Sequence, residues 1–255
     1  MINPDTFRLM TVNGWQEKYQ EILHEFNYNR LREIRSAKIL DSFLKTRLSS
    51  NKLERKIKNK TVFVIGAGPS LVSSLPYLKK FKKFTKIVAD GATQAMIENQ
   101  IMPDIVVTDL DGNMDYLKKA SESKSIMIVH SHGDNINKLP YAILFKYCLG
   151  TTEDKPFGKI RNFGGFTDGD RCVFLANHFG ASRIILIGMD FGTNIGKYSK
   201  ERTHNKDIKL KKLKRGKSLL EWLALESNAD LYTTSQPIPG FKNIEFADLQ
   251  KLVRQ

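Results

Sequence analysis

Cysteine is nearly missing from this 255-residue chain: Cys148 and Cys172 are the only two, in no metal-ligand spacing. That excludes a disulfide scaffold and leaves two small buried hydrophobic side chains as the plain reading. Long apolar runs are missing too. No stretch approaches the roughly 20 residues that a membrane span needs, so no membrane partner is expected. Met1 to Arg8 hold no apolar leader core, so the expectation is a cytoplasmic protein. Acidic charge is scarce: 41 Lys and Arg stand against 27 Asp and Glu, a net charge of +14. This balance points to anionic partners. Much of it is lysine, often a solvated surface charge, so nucleic acid is not the expected main partner. Three enzyme signatures are also absent. There is no Gly-x-Ser-x-Gly elbow, no Walker A loop and no complete Gly-x-Gly-x-x-Gly.

What is present has a clear order. Residues 1–58 read as a polar helical segment, with a helix start at Pro4-Asp5 and a stripe of Trp15, Tyr19, Ile22, Leu23 and Phe26 at helical spacing. It would serve as a cap or as an oligomerisation arm, for instance in a homodimer. Residues 59–197 alternate short apolar runs with helical stretches. Strands are expected at 61–65, 86–89, 105–108, 125–129, 142–147 and 183–187, and helices at 70–78, 92–98, 114–121 and 168–179. Short Val- and Ile-rich strands linked by helices predict an α/β fold, a doubly wound and mostly parallel sheet with helices on both faces. Residues 198–255 hold a basic run, including Lys200, Arg202, Lys206, Lys209, Lys212 and Arg215, then an apolar helix over 218–226 and a tail read as loop around Pro237, Pro239 and Gly240.

Ligands in such sheets bind beyond the carboxyl ends of the strands, and the polar residues fall there. Val106 to Thr108 run into Asp109-Leu110-Asp111-Gly112. Paired carboxylates at the end of a buried strand are costly unless they share a cation, and Mg²⁺ is the hard cation that leaves places for substrate phosphates. An Asx turn at the same residues is the structural alternative. Gly66-Ala67-Gly68-Pro69-Ser70 joins a strand to a helix, where glycines permit close backbone approach and a helix N-terminus offers N–H groups to phosphate. Asp90-Gly91 ends the second strand, as a cap or as a metal or ribose contact. His130 and His132 follow the fourth and are placed to face one pocket and hydrogen-bond substrate. Thr167, Asp168, Asp170 and Arg171 open an apolar helix, with Arg171 as a planar donor fork. Asp190 repeats the strand-end carboxylate. These features predict a phosphate-handling enzyme.

Ala89-Asp90-Gly91-Ala92 with Asp109-Leu110-Asp111 resembles the acidic signature of thiamin pyrophosphokinases. The fuller set is similar to the archaeal 6-hydroxymethyl-7,8-dihydropterin pyrophosphokinases: the Gly66–Leu71 loop, His130 to Asn135, Gly164 to Arg171, and Gly188-Met189-Asp190-Phe191-Gly192. The Gly-Ala-Gly-Pro-Ser loop also occurs in glycosyltransferases of flagellin modification. The resemblance implies transfer of a diphosphate from the co-substrate ATP, with Mg²⁺, to the hydroxymethyl group of the pterin. The product would serve folate or tetrahydromethanopterin synthesis. It implies Asp109, Asp111 and Asp90 as metal ligands and Gly66, Gly68, Pro69 and Ser70 as a phosphate cradle. Arg171 would supply charge, His130 or His132 would assist deprotonation, and Asp168 or Asp170 would contact the pterin. A thiamin pyrophosphokinase or a sugar-nucleotide glycosyltransferase on a related fold is the alternative.

Overall fold

Apolar residues on both sides of each central strand bury the sheet on two faces. Val62 and Val64 of β1 (Thr61–Ile65) point into one core and Phe63 and Ile65 into the other. The same alternation holds in β2 (Thr85–Ala89), β3 (Ile105–Thr108), β4 (Ile126–His130) and β7 (Arg183–Ile187). The computed structural model describes residues 12–45, 48–199 and 206–253; the helix start at Pro4-Asp5 and the basic residues Lys200 and Arg202 lie outside them. With β5 (Cys148–Thr151), β6 (Ile160–Arg161), β8 (Asp230–Thr233) and β9 (Lys242–Asn243), the described residues form a nine-stranded sheet in the order β6-β5-β4-β3-β2-β1-β7-β8-β9. Every paired strand is parallel to its neighbour. The doubly wound α/β fold is therefore present, and the order reverses between β1 and β7.

One face carries α1 (Trp15–Glu25), α3 (Ser50–Ile57), α7 (Asp168–His178) and α8 (Lys206–Glu226). Trp15, Tyr19, Ile22, Leu53 and Ile57 join the core of Val62 and Val64. The other face carries α4 (Leu71–Leu78), α5 (Asp90–Glu98), α6 (Met114–Glu122) and α9 (Phe246–Leu252). Helix α2 (Arg30–Phe43), capped by Asn29, packs beside β5 through Leu40.

Three expectations change. The run Ala142–Tyr147 is no strand: a 3₁₀ helix spans Ile136–Leu144, and β5 starts at Cys148. A short apolar run does not by itself separate strand from helix, and Pro140, two residues before it, lies within the 3₁₀ helix. The tail read as loop contributes β8, β9 and α9, with Phe241 and Leu249 buried. Helix α8 also begins at Lys206, so the basic run and the apolar 218–226 stretch are one helix.

Candidate active site

The carboxyl ends of β4, β3, β2, β1 and β7 open, in that spatial order, onto one cleft of about 350 Å³. Its lining includes Asp109, Asp111, His132, Gly66, Gly68, Gly91, Thr167, Asp168, Arg171 and Asp190. Helix α8 closes it from above with Ile208, Lys209, Lys212 and Leu213.

Three carboxylates meet at the centre. Oxygens of Asp90, Asp109 and Asp168 lie within 4.8 Å of one another. Asp90 opens α5 directly after β2 and is only 2% exposed. Its Oδ2 accepts from Thr108 Oγ1 and, at 3.1 Å, from Gly112 N–H, which stitches the β2 end to the β3 turn. Asp109 follows β3. Asp168 opens α7, and burial together with the charges of Asp109 and Asp90 pushes its carboxyl well above the usual carboxylate range. Asp111, expected beside Asp109, instead stands exposed on the cleft rim. The strand stops at Thr108 and Leu110 takes a left-handed backbone (φ 64°), so strand alternation no longer applies. Asp111 N–H donates to Asp109 Oδ1 at 3.3 Å, the Asx turn weighed above. In the close cluster Asp168 takes the place expected of Asp111.

The two histidines part company. His130, the last residue of β4, is buried beneath the cleft, with Nδ1 3.2 Å from Thr151 Oγ1 and Nε2 3.7 Å from the Glu153 carboxylate. Burial and the nearby Arg171 charge hold it well below the usual histidine range, so it is neutral at pH 7. His132 lines the cleft, and its Nδ1 lies 3.1 Å from Glu33 of α2. Burial opposes a charge there, but the Glu33 carboxylate outweighs it and raises His132 above the ordinary value. Asn135 ties the two strand ends together, donating to Asp109 O and His130 O and accepting from His132 N–H.

Other predicted residues have structural duties. Gly66 N–H and Gly68 N–H donate to Ile187 O and Gly188 O at 2.9 and 2.8 Å, and Ser70 N–H and Oγ donate to Asp190 Oδ2 at 2.9 and 2.7 Å. Pro69 has no N–H. The cradle expected at Gly66–Ser70 thus has three of its amides bound to the β7 loop. The glycines instead let two strand-end loops interlock: a Cβ on Gly66 would lie 2.5 Å from Gly188 O. Asp170 is fully buried and accepts from Phe166 N–H and Thr167 N–H, half of a capping box for α7 rather than a pterin contact. Arg171 ion-pairs with buried Glu153 and reaches Asp168 Oδ1 at 3.5 Å, so its charge lies under the carboxylate cluster. Of the basic run, Lys211 donates to Glu25 O and Arg215 pairs with Glu21 and Glu25, while Lys209 and Lys212 line the cleft. The run is therefore no uninterrupted stripe for nucleic acid.

Glu33 and Glu153 were not visible as site residues in the sequence, because their partners His132 and Arg171 lie 99 and 18 positions away. Asn135 stood only at the end of the His130 motif. Lys209 and Lys212 carried one signal, their three-residue spacing on a helix face.

Comparison with known proteins places the chain in a family. Residues 37–196 match the family described as 6-hydroxymethylpterin diphosphokinase MptE-like. A 6-hydroxymethyl-7,8-dihydropterin pyrophosphokinase of Pyrococcus furiosus is 44% identical over 231 residues, covering 87% of this chain and 98% of that protein. Its counterpart in Methanothermobacter thermautotrophicus is 40% identical over 232 residues, covering 87% and 98%. That of Methanocaldococcus jannaschii is 38% identical over 231 residues, covering 84% and 96%. Among solved structures, the MAf glycosyltransferase from Magnetospirillum magneticum AMB-1 aligns with a TM-score of 0.49 at 13% identity, over 84% of this chain and 39% of that one. The chain belongs to the MptE-like family of 6-hydroxymethylpterin diphosphokinases.

Proposed function

We propose that this protein transfers a diphosphate from ATP to the hydroxymethyl group of 6-hydroxymethyl-7,8-dihydropterin and releases AMP, with Mg²⁺ as the metal. The carrying observation is the cluster of Asp90, Asp109 and Asp168, three carboxylates from three different elements gathered under one cleft. The relatives' name supplies the acceptor.

The donor set fits the ion. All three candidate ligands are carboxylate oxygens, which suit a hard divalent cation. Bound Mg²⁺ supplies charge neutralisation and orientation of the phosphate chain. In the transfer, the hydroxymethyl oxygen bonds to the β-phosphorus. The bond from that phosphorus to the oxygen bridging toward the α-phosphate breaks, its electron pair leaves on AMP, and the hydroxyl proton is released. Such transfers need placement and charge compensation more than covalent help. Lys209 and Lys212 bring positive charge to the cleft from α8. His132, with a raised pKa, suits hydrogen-bond donation to a bound substrate better than abstraction of a proton. Arg171, paired with Glu153, holds Asp168 in place from below.

The test is AMP release from ATP and Mg²⁺ with the dihydropterin alcohol, run beside thiamin as acceptor. AMP appearing with the pterin alone supports the reading; AMP with thiamin alone, or with neither, overturns it.

A further inference from the structure

The strand order that builds the site also divides it. Reading along the sheet, the cleft meets His132 after β4, Asp109 after β3, Ala89 and Gly91 at the end of β2, Gly66–Gly68 after β1 and Asp190 after β7. Neighbouring strands lie about 4.8 Å apart, so the carboxylate cluster at β3 and β2 has a lobe on either side. The two lobes differ in chemistry.

The β1/β7 lobe is walled by glycine backbone and by Met189 and Ile195, next to Gly66 and to the Ala67–Gly68 turn. It lies where the strand order reverses, the position at which open α/β sheets seat nucleotides. The β4 lobe is aromatic and polar. Phe166 lines it, backed by Phe26 at 4.8 Å and Tyr28 at 6.4 Å between ring centroids. Tyr28 packs edge-on against His132 at 4.8 Å, and Lys212 Nζ lies 5.7 and 5.8 Å from the Tyr28 and Phe166 rings. Glu33 occupies His132 Nδ1 and also accepts from Gly133 N–H at 2.9 Å. This two-point grip from α2 fixes the imidazole, and Nε2 is the ring nitrogen left for a ligand.

We propose that the acceptor, a flat heteroaromatic alcohol, binds in the β4 lobe against His132 and Phe166, that the nucleoside of ATP occupies the β1/β7 lobe, and that Glu33 is the positioning residue that orients His132 toward the acceptor. The assignment rests on the diphosphotransferase reading above. It also gives the N-terminal helices a task, since Glu33, Phe26 and Tyr28 all come from α1, α2 and the turn between them.

Separate Michaelis constants test it. His132→Asn and Glu33→Gln are expected to raise KM for the pterin alcohol about tenfold, the loss of one charge-assisted hydrogen bond, and to leave KM for ATP within about twofold. Ile195→Ala is expected to raise KM for ATP instead. Should His132→Asn and Glu33→Gln move KM for ATP, or only kcat, the lobe assignment is overturned while the activity stands. An unmodified chain that never turns over the pterin alcohol overturns the activity and this assignment together. A well-folded Glu33→Gln chain with an unchanged pterin KM overturns the positioning role even if His132→Asn behaves as expected.

Discussion

At the residue scale, Asp90, Asp109 and Asp168 repel one another, and the Arg171 guanidinium 3.5 Å from Asp168 Oδ1 offsets part of that cost. Asp90→Asn, Asp109→Asn and Asp168→Asn are each expected to lower turnover at least about 100-fold, more than the loss of a typical outer partner of a metal ligand. Asp109→Asn should melt no lower than the unmodified chain, because like charge is removed. Asp111→Asn, on the exposed rim, is expected to cost less than about tenfold; parallel assays and thermal melts check all four. Adding Mg²⁺ should raise the melting midpoint of the unmodified chain by mass action and leave Asp168→Asn nearly unmoved. His132 gives a pH prediction. Its folded pKa stands above the unfolded value of about 6.5, so the stability it contributes with Glu33 is fully present below that pH and fades as pH rises through the raised value. The gap in melting midpoint between the unmodified chain and Glu33→Gln should therefore be widest in acid and narrow toward alkaline pH.

At the element scale, loops rather than strands set the site's tolerances. Gly165, with φ 88°, turns the chain into α7, and a Cβ there would lie 2.6 Å from Arg171 Cα. Gly165→Ala is expected to destabilise by about 1–3 kcal/mol, read from denaturant midpoints, and to shift Asp168 enough to lower turnover. The Gly66–Ser70 loop and the Gly188–Asp190 loop are bolted together by the Gly68 N–H to Gly188 O bond and by Ser70 on Asp190. Asp190→Ala leaves the Ser70 donors without that carboxylate and should cost about 1–3 kcal/mol in the same measurement. The glycines of this loop were legible in the sequence as a sign of close approach. What approaches them is the neighbouring strand end, and a local motif does not distinguish a phosphate from a backbone carbonyl.

At the scale of the whole molecule, the N-terminal helices and the sheet share one core. Trp15 is 1% exposed, packs edge-on to Phe174 at 5.7 Å and donates from Nε1 to Glu153 O. Trp15→Ala is expected to cost about 3–5 kcal/mol and to lower the midpoint of a single transition seen alike by circular dichroism and by Trp222 fluorescence. Among the described residues no helix is long and apolar enough to cross a membrane. Much of this architecture was written locally. Val- and Ile-rich runs such as Thr61–Ile65 and Arg183–Ile187 encode strands buried on both faces. Asp90, Asp109 and the Thr167-to-Arg171 run announce polar strand and helix ends, because period and polarity are properties of neighbours in the chain. The choice among those polar ends was not local. Asp168 meets Asp90 and Asp109, while Asp111 and His130 turn aside, because β2, β3 and the start of α7 are brought together by parallel crossovers spanning dozens of residues. Which side chains converge depends on strand order and on where each strand stops, and those distances arise only when the sheet closes around its core.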